Sequence, residues 1–336
     1  MLYQILRLRI QRTINCNQID PSFFLFNINE PFPGKSSAPT TTATMTNPAL
    51  TLHHAYFTIT FKRKQDKQKG IQMIKLIASD MDGTLLDSNG ILNPEFFTMF
   101  EDLSNKDIMF VAASGRQYYN LLKLFNPIKD KIIFIAENGT YVLFNSQELL
   151  IVDVPIEKAR EVIREVRKIE GAYPVLCGKN KAYIEDYHPD FVKQAYTYYE
   201  KCNVVPDLMN VTDDRFLKIA VYDFRGSAIN SYPIMEHFNN SLKVVVSGSN
   251  WLDVSHRDAN KGNALKLIQS YFSVTPDECM AFGDQMNDAE MLQSVVYSYA
   301  MENASEELKR YAHYTAPSND AGGVLSVIKE SIFNKK

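Results

Sequence analysis

From residue 73 onward the chain alternates between two hydrophobic patterns. Nearly unbroken apolar runs at 74–78 (IKLIA), 108–113 (IMFVAA) and 131–136 have the length and composition of strands buried on both faces. Between them, 93–103 and 118–125 read as helices, the first with Pro94 near its first turn. Polar residues collect where each run stops: Asp80 and Asp82 after the first, Ser114-Gly115-Arg116 after the second, Glu137-Asn138-Gly139 after the third. This order predicts an α/β fold with a doubly wound parallel sheet. Ligands of such sheets bind outside the carboxyl ends of the strands.

Near residue 155 the pattern changes. Residues 156–170 carry a helical stripe of Ile156, Ala159, Ile163, Val166 and Ile169, closed by Gly171. Short strands are expected at 173–176, 182–185, 216–222 and 242–247, with helices near 190–199 and 229–238. Hairpin-like pairs with helices on one face predict an inserted α+β domain over 155–248. Residues 251–255 read as a return to the strand pattern of the core, so the core is expected to comprise 73–154 and 249–336. Its second part opens a helix at Asn260-Lys261-Gly262. A strand over 278–282 follows, ending in Gly283-Asp284-Gln285-Met286-Asn287-Asp288. A short helix, a strand at 295–300 and helices at 305–311 and 323–332 complete it.

The 336 residues suggest about two domains. A hydrophobic share of 45% and a charged share of 22% are ordinary for a globular protein. The net charge of −3 gives no basic footprint for nucleic acid. No apolar stretch approaches a membrane span. Neither nucleic acid nor membrane is therefore an expected partner, and the oligomeric state is left open. Cys16, Cys177, Cys202 and Cys279 lie far apart with no Cys-x-x-Cys pair, which indicates neither a disulfide framework nor a zinc site. A reduced, cytoplasmic compartment fits.

Residues 1–72 read differently. Arg7, Arg9 and Arg12 with no nearby acid resemble a targeting presequence weakly. Residues 31–48 are rich in Pro, Ser and Thr, and 62–69 is a run of charge. The expectation is a disordered extension or the product of an upstream start.

The acidic turn at Asp80-Met81-Asp82-Gly83-Thr84 carries the first chemical hint. Two carboxylates about 4 Å apart repel by on the order of 4 kcal/mol at an effective dielectric of 20. Either one is protonated or a cation lies between them. Oxygen ligands indicate a hard cation, and a site that also meets phosphate indicates Mg²⁺. An ordinary surface turn of Asp and Gly is the alternative. Adding the other strand ends gives several acids, one lysine and small hydrogen-bonding groups, a set suited to phosphoryl transfer.

Asp80-Met81-Asp82-Gly83-Thr84, Ser114-Gly115-Arg116, Lys261-Gly262 and Gly283-Asp284-x-x-Asn287-Asp288 stand in the order found in the haloacid dehalogenase (HAD) superfamily, which residues 73–329 resemble, in particular its Cof-type phosphatases. The resemblance implies a Rossmann-like HAD core with a large α/β cap. It implies Asp80 as nucleophile, forming an aspartyl-phosphate, and Asp82 as general acid and then base. It implies Mg²⁺ on Asp80, the Asp82 main-chain carbonyl and Asp284. Lys261 would balance charge, Ser114 would bond a phosphoryl oxygen, and Asn287 would contact the phosphate region. Asp288 would orient Lys261 or a metal-bound water. Gly83 would let backbone N–H groups approach the phosphate. Arg116 and Asn138, with Gly115 beside them, are substrate candidates, joined by cap residues near 178–181 or His188.

Asp82, where phosphate-storing relatives have Thr, implies turnover to free phosphate. The implied activity is a Mg²⁺-dependent phosphatase for small phosphorylated metabolites, either sugar phosphates or a phosphorylated cofactor. A phosphomutase of the same fold would need clustered cap cations, for which Arg215, Lys218 and Arg225 are the nearest candidates. A non-catalytic phosphometabolite-binding protein is the third reading.

Overall fold

The computed structural model describes residues 73–185 and 188–334. The expectations for residues 1–72 lie outside the described residues.

The core is an eight-stranded sheet in the order β14-β13-β12-β1-β2-β3-β4-β5. Its centre is β1 (Leu76–Asp80), buried along its whole length and flanked in parallel by β2 (Met109–Ala113) and β12 (Cys279–Gly283). Strands β3 (Ile133–Ala136), β13 (Tyr297–Met301) and β14 (Tyr314–Ala316) continue the parallel order on either side. Parallel strands sandwiched between helices need apolar side chains on both faces, which is why these segments read as continuous apolar runs. Helix α1 (Glu95–Ser104) buries Phe96, Met99, Phe100 and Leu103 against the sheet, with Phe96 edge-on to Phe110 at 5.0 Å. Helix α2 (Tyr118–Leu124) follows β2.

One edge of the sheet departs from the expected parallel order. Strands β4 (Tyr141–Phe144) and β5 (Gln147–Ile151) add an antiparallel hairpin. Its turn residues Asn145 and Ser146 both have positive φ, so no glycine marked it in the sequence.

The cap has its own six-stranded sheet, β10-β11-β9-β6-β7-β8. These are β6 (Ala172–Gly178), β7 (Ala182–Ile184), β8 (Cys202–Val204), β9 (Phe216–Asp223), β10 (Leu242–Val246) and β11 (Trp251–His256). Strand β11 corrects the expected domain boundary. It pairs antiparallel with β10 and β9, and Leu252 and Val254 are buried in the cap's apolar cluster. Trp251–His256 therefore belongs to the cap sheet, not to the core, and the chain returns to the core after His256. A strand's own pattern states that it is half-buried, not which sheet accepts it.

Helix α3 (Ile156–Val166) covers one face of the cap sheet through Ala159, Val162, Ile163 and Val166. Helix α4 (Pro189–Tyr198) covers part of the other through Phe191 and Ala195. The helix expected over 229–238 shortens to α5 (Tyr232–Met235) and a 3₁₀ turn, Glu236–Asn240. Back in the core, α6 (Lys261–Phe272) precedes β12, and α7 (Ala289–Leu292), α8 (Glu306–Lys309) and α9 (Gly323–Ile328) follow it. No helix among the described residues is long and apolar enough to cross a membrane.

Candidate active site

Asp80 is the last residue of β1 and is 6% exposed. Lys261 reaches it from the first turn of α6. Asn260 fixes that helix start by accepting the Asn263 N–H at 2.7 Å, which satisfies an otherwise unpaired donor. Lys261 Nζ then donates to Asp80 Oδ1 at 2.5 Å and to Asp288 Oδ1 at 2.7 Å. Burial alone would lower the lysine pKa. Asp288 and Asp80 outweigh it and hold the ammonium above its ordinary value. Gly139 lies directly on this helix start: its φ is +95°, and a Cβ there would meet the Asn260 carbonyl oxygen at 2.3 Å.

The loop after β12 supplies the other acids. Asp288 Oδ2 accepts from the N–H groups of Asp284 and Gln285 at 3.1 and 3.2 Å. Asp284 Oδ1 accepts from the Thr84 hydroxyl at 3.0 Å, and its Oδ2 from the Gln285 amide at 3.1 Å. Gly83 makes this approach possible. At φ +77°, a Cβ on it would lie 2.4 Å from Asp284 Oδ2.

Asp80, Asp284 and Asp288 each bring one carboxylate oxygen within 4.8 Å of the others. Three buried carboxylates facing one ammonium leave negative charge uncompensated. Burial accordingly pushes the Asp80 carboxyl well above the usual range, with Lys261 opposing and Asp288 and Asp284 adding to the rise. Burial, then Asp288, pushes Asp284 up as well. The donor set is all oxygen and fits a hard dication. Both Asp288 oxygens are engaged by Lys261 and the backbone, whereas Asp80 Oδ2 has no donor among the described residues.

Asp82 follows in a wide turn, Met81–Leu85, and its side chain is 56% exposed. Arg116 grips it with Nε 2.8 Å from Oδ2 and Nη2 2.5 Å from Oδ1. Ser114 Oγ accepts the Arg116 N–H at 3.0 Å and so shapes the loop that presents the guanidinium. Asn287 donates to Asn138 Oδ1 at 3.0 Å.

Asp80, Asp82, Gly83, Gly115, Arg116, Asn138, Asp284 and Asn287 line one cleft of about 760 Å³ between the strand ends and the cap. Ser114, Lys261 and Asp288 are buried beside it rather than exposed in it. The named cap candidates do other work. His188 caps α4 by accepting the Asp190 N–H at 3.2 Å, and Lys179 pairs with Glu148.

The cap wall of the cleft was missed by the sequence reading. It includes Tyr198, Tyr199, Val245, Trp251 and Asp253, and Gln117 adds to it from the core. Lys218, weighed only as a cation for a second phosphate, lies there too. Its Nζ is 2.9 Å from Glu137 Oε2 and 3.1 Å from Asp253 Oδ2, and it donates to the Gly115 carbonyl at 3.3 Å. Lys218, Val245, Trp251 and Asp253 come from three strands, Tyr198 and Tyr199 from the end of α4 and Gln117 from the loop before α2, and only the fold joins them. The available signal was Trp251, the single tryptophan of the chain.

A central strand ending in a buried aspartate, a buried lysine and a capped acidic cleft are the layout of a HAD-type hydrolase. The chain belongs to the haloacid dehalogenase-like hydrolases, whose family model matches residues 77–328, and it is a phosphatase of that family. It is 32% identical over 259 residues to 5-amino-6-(5-phospho-D-ribitylamino)uracil phosphatase of Escherichia coli (strain K12), covering 76% of this chain and 95% of that protein. It is 26% identical over 240 residues to HMP-PP phosphatase of Serratia proteamaculans (strain 568), covering 70% and 87%. The crystal structure of SMU.1108c from Streptococcus mutans UA159 matches with a TM-score of 0.70 at 32% identity, covering 76% of this chain and 98% of that one.

Proposed function

We propose that the protein is a Mg²⁺-dependent phosphatase that releases phosphate from small phosphorylated metabolites, sugar phosphates or a phosphorylated cofactor, through an aspartyl-phosphate on Asp80. The observation that carries this reading is the asymmetry of Asp80: Lys261 holds Oδ1 at 2.5 Å, and Oδ2 is left without a donor in the cleft. An anchored carboxylate with one unengaged oxygen is preorganised for in-line attack on phosphorus.

Asp80, Asp284 and the Asp82 main-chain carbonyl would hold the metal. When bound, Mg²⁺ neutralises the acids and polarises the phosphoryl oxygens. Ser114 donates its hydroxyl to a phosphoryl oxygen, and Lys261 stabilises the charge that builds up there. Asp82 gives a proton to the leaving oxygen and takes one from the hydrolytic water, with Arg116 fixing its position. Asn138 and Asn287 brace each other at the phosphate end of the cleft. Asp288 keeps Lys261 in place.

The relatives named above act on a phosphorylated ribitylaminouracil and on HMP-PP, which supports small phosphorylated metabolites as substrates. The free thiols of Cys177, Cys202 and Cys279 fit work in a reducing cytoplasm. The mutase reading is weakened by its own cations. Arg215 is held by Asp153 at 2.8 Å, Arg225 pairs with Glu170, and Lys218 pairs with Glu137 and Asp253. The test is phosphate release from 4-nitrophenyl phosphate and a metabolite panel with Mg²⁺. Release is expected to vanish in Asp80→Asn and with chelator. Persistent turnover in Asp80→Asn refutes the nucleophile assignment.

A further inference from the structure

The loop that joins β13 to α8, residues 302–305, does not line the cleft, yet it bonds both loops that carry the acids. Asn303 Nδ2 donates to the Gly83 carbonyl at 2.8 Å. Two residues on, the Ser305 N–H donates to the Asp284 carbonyl at 3.2 Å.

The Gly83 contact matters because of where it falls. Inside the turn Met81–Leu85, Asp82 and Gly83 leave helical geometry, and Gly83 has φ +77° and ψ 3°. Only these two torsions join the Gly83–Thr84 peptide to the Asp82 carbonyl. Glycine restricts its own torsions least of all residues, so the geometry of this turn has to be imposed from outside. A trans peptide is planar. Holding the Gly83 carbonyl therefore orients the whole peptide unit. On one side of that unit lies the Asp82 carbonyl, and on the other Thr84, whose hydroxyl donates to Asp284 Oδ1 at 3.0 Å.

Asn303 is itself held. Its Oδ1 accepts the Asn319 N–H at 3.1 Å, which turns the amide nitrogen toward Gly83. The Glu302 N–H donates to the Ala316 carbonyl at 2.8 Å, at the end of β14. Asn319 adds a second strap, from Nδ2 to the Leu86 carbonyl at 2.9 Å. Asn303 is exposed and Gly83 is half-buried, so water can satisfy this carbonyl when the amide is removed. The fold then loses little, and the orientation of the turn is what changes.

We propose that Asn303 is a positioning residue for the acidic cluster: through the Gly83 peptide it holds the Asp82 carbonyl and the Asp284 carboxylate in place for the cation. This inference rests on the Mg²⁺ reading of the cluster and adds to it a residue outside the cleft.

The experiment is calorimetric titration of the full chain with Mg²⁺, without substrate, in wild type, Asn303→Ala and Ser88→Ala. Ser88 is strapped nearby, its hydroxyl 2.5 Å from Asp320 Oδ2, but it makes no hydrogen bond to Gly83 or Asp284. Asn303→Ala is expected to weaken Mg²⁺ binding about tenfold or more, and Ser88→Ala to leave it unchanged. Turnover of 4-nitrophenyl phosphate by Asn303→Ala is expected to be low at the Mg²⁺ concentration that just saturates wild type. It is expected to recover as Mg²⁺ is raised, with KM for the ester constant at saturation. The unfolding midpoint of metal-free Asn303→Ala is expected to stay near that of wild type, which separates lost positioning from lost folding. Unchanged Mg²⁺ affinity in Asn303→Ala, turnover that Mg²⁺ does not restore, a strongly lowered metal-free midpoint, or an equal loss of affinity in Ser88→Ala overturns the assignment and leaves the Mg²⁺ reading standing. Wild-type protein that takes up no Mg²⁺ overturns that reading, and this inference with it.

Discussion

Lys261 Nζ lies 2.5 Å from Asp80 Oδ1 at a point where the lysine has no solvent exposure. Removing one partner of a buried ion pair strands the other charge, at about 3–5 kcal/mol. Lys261→Met is therefore expected to lower the urea midpoint strongly. It is also expected to reduce kcat by on the order of 10²–10³, the usual effect of losing one preorganised donor. A variant that keeps both its midpoint and its turnover would show that this contact matters to neither.

Under the proposed function, Mg²⁺ and protons would compete for the same acids. In the metal-free protein the carboxyls of Asp80 and Asp284 sit above the ordinary range because of burial. A raised folded-state pKa contributes stability that is fully present below the unfolded value and is lost as pH rises through the folded value. The metal-free site thus destabilises the fold more as pH rises through the folded-state values of these two groups. Mg²⁺ relieves that repulsion, so the Tm gain on adding Mg²⁺ is expected to be larger at higher pH. Calorimetry in two buffers of different ionisation enthalpy is expected to show proton release on metal binding. A Tm gain that shrinks with pH would contradict this linkage.

Arg116 and Asp82 form a bidentate pair, but both side chains are substantially solvated, at 32% and 56% exposure. Exposed pairs contribute about 0–1 kcal/mol. Arg116→Ala is expected to leave the unfolding midpoint nearly unchanged. If the pair serves to position the general acid, kcat falls by about tenfold or more, within the range of acid–base catalysis. Loss of stability without loss of rate would reverse this assignment and make the pair structural.

Lys218 joins the cap to Glu137 of the core in a buried cluster. Burial raises the Glu137 pKa and Lys218 opposes the rise. Lys218→Met leaves Glu137 and Asp253 facing each other without a cation, and is expected to cost about 3–5 kcal/mol. Adding Glu137→Gln removes one of the two charges and is expected to recover part of that loss in a double-mutant cycle. Strict additivity of the two substitutions would show that the contact carries no coupling.

The core was legible because its physics is local. Parallel strands covered on both faces must be apolar throughout, so β1, β2, β3 and β12 could be read from the sequence to within a residue or two. Their polar ends gave the site, since Asp80, Lys261 and Asp284 follow directly from strand or helix termini. Strand β11 was assigned to the wrong sheet because alternation at 251–255 does not reveal its partner. Pro233 lies within the segment that folded as a short helix and a 3₁₀ turn rather than one long helix. The cleft's cap wall was invisible for a deeper reason: Lys218, Val245 and Trp251 converge only when register fixes which side of the sheet each one faces.

The insertion of the cap between the two halves of the core sets an order of assembly. Thr84 and Asp284, which hydrogen-bond at the acidic cluster, are separated by 200 residues. At ordinary rates of translation, about 10–40 s pass between their synthesis. From the synthesis of Ala113 until that of Cys279 the nascent strand carrying Asp80 has its β2 neighbour available but no β12. The cap's strands, by contrast, all emerge before that missing flank arrives. A ribosome-bound chain halted before Cys279 therefore carries Asp80 with only five of the eight core strands, and the acidic cluster is complete only once Asp288 has been made.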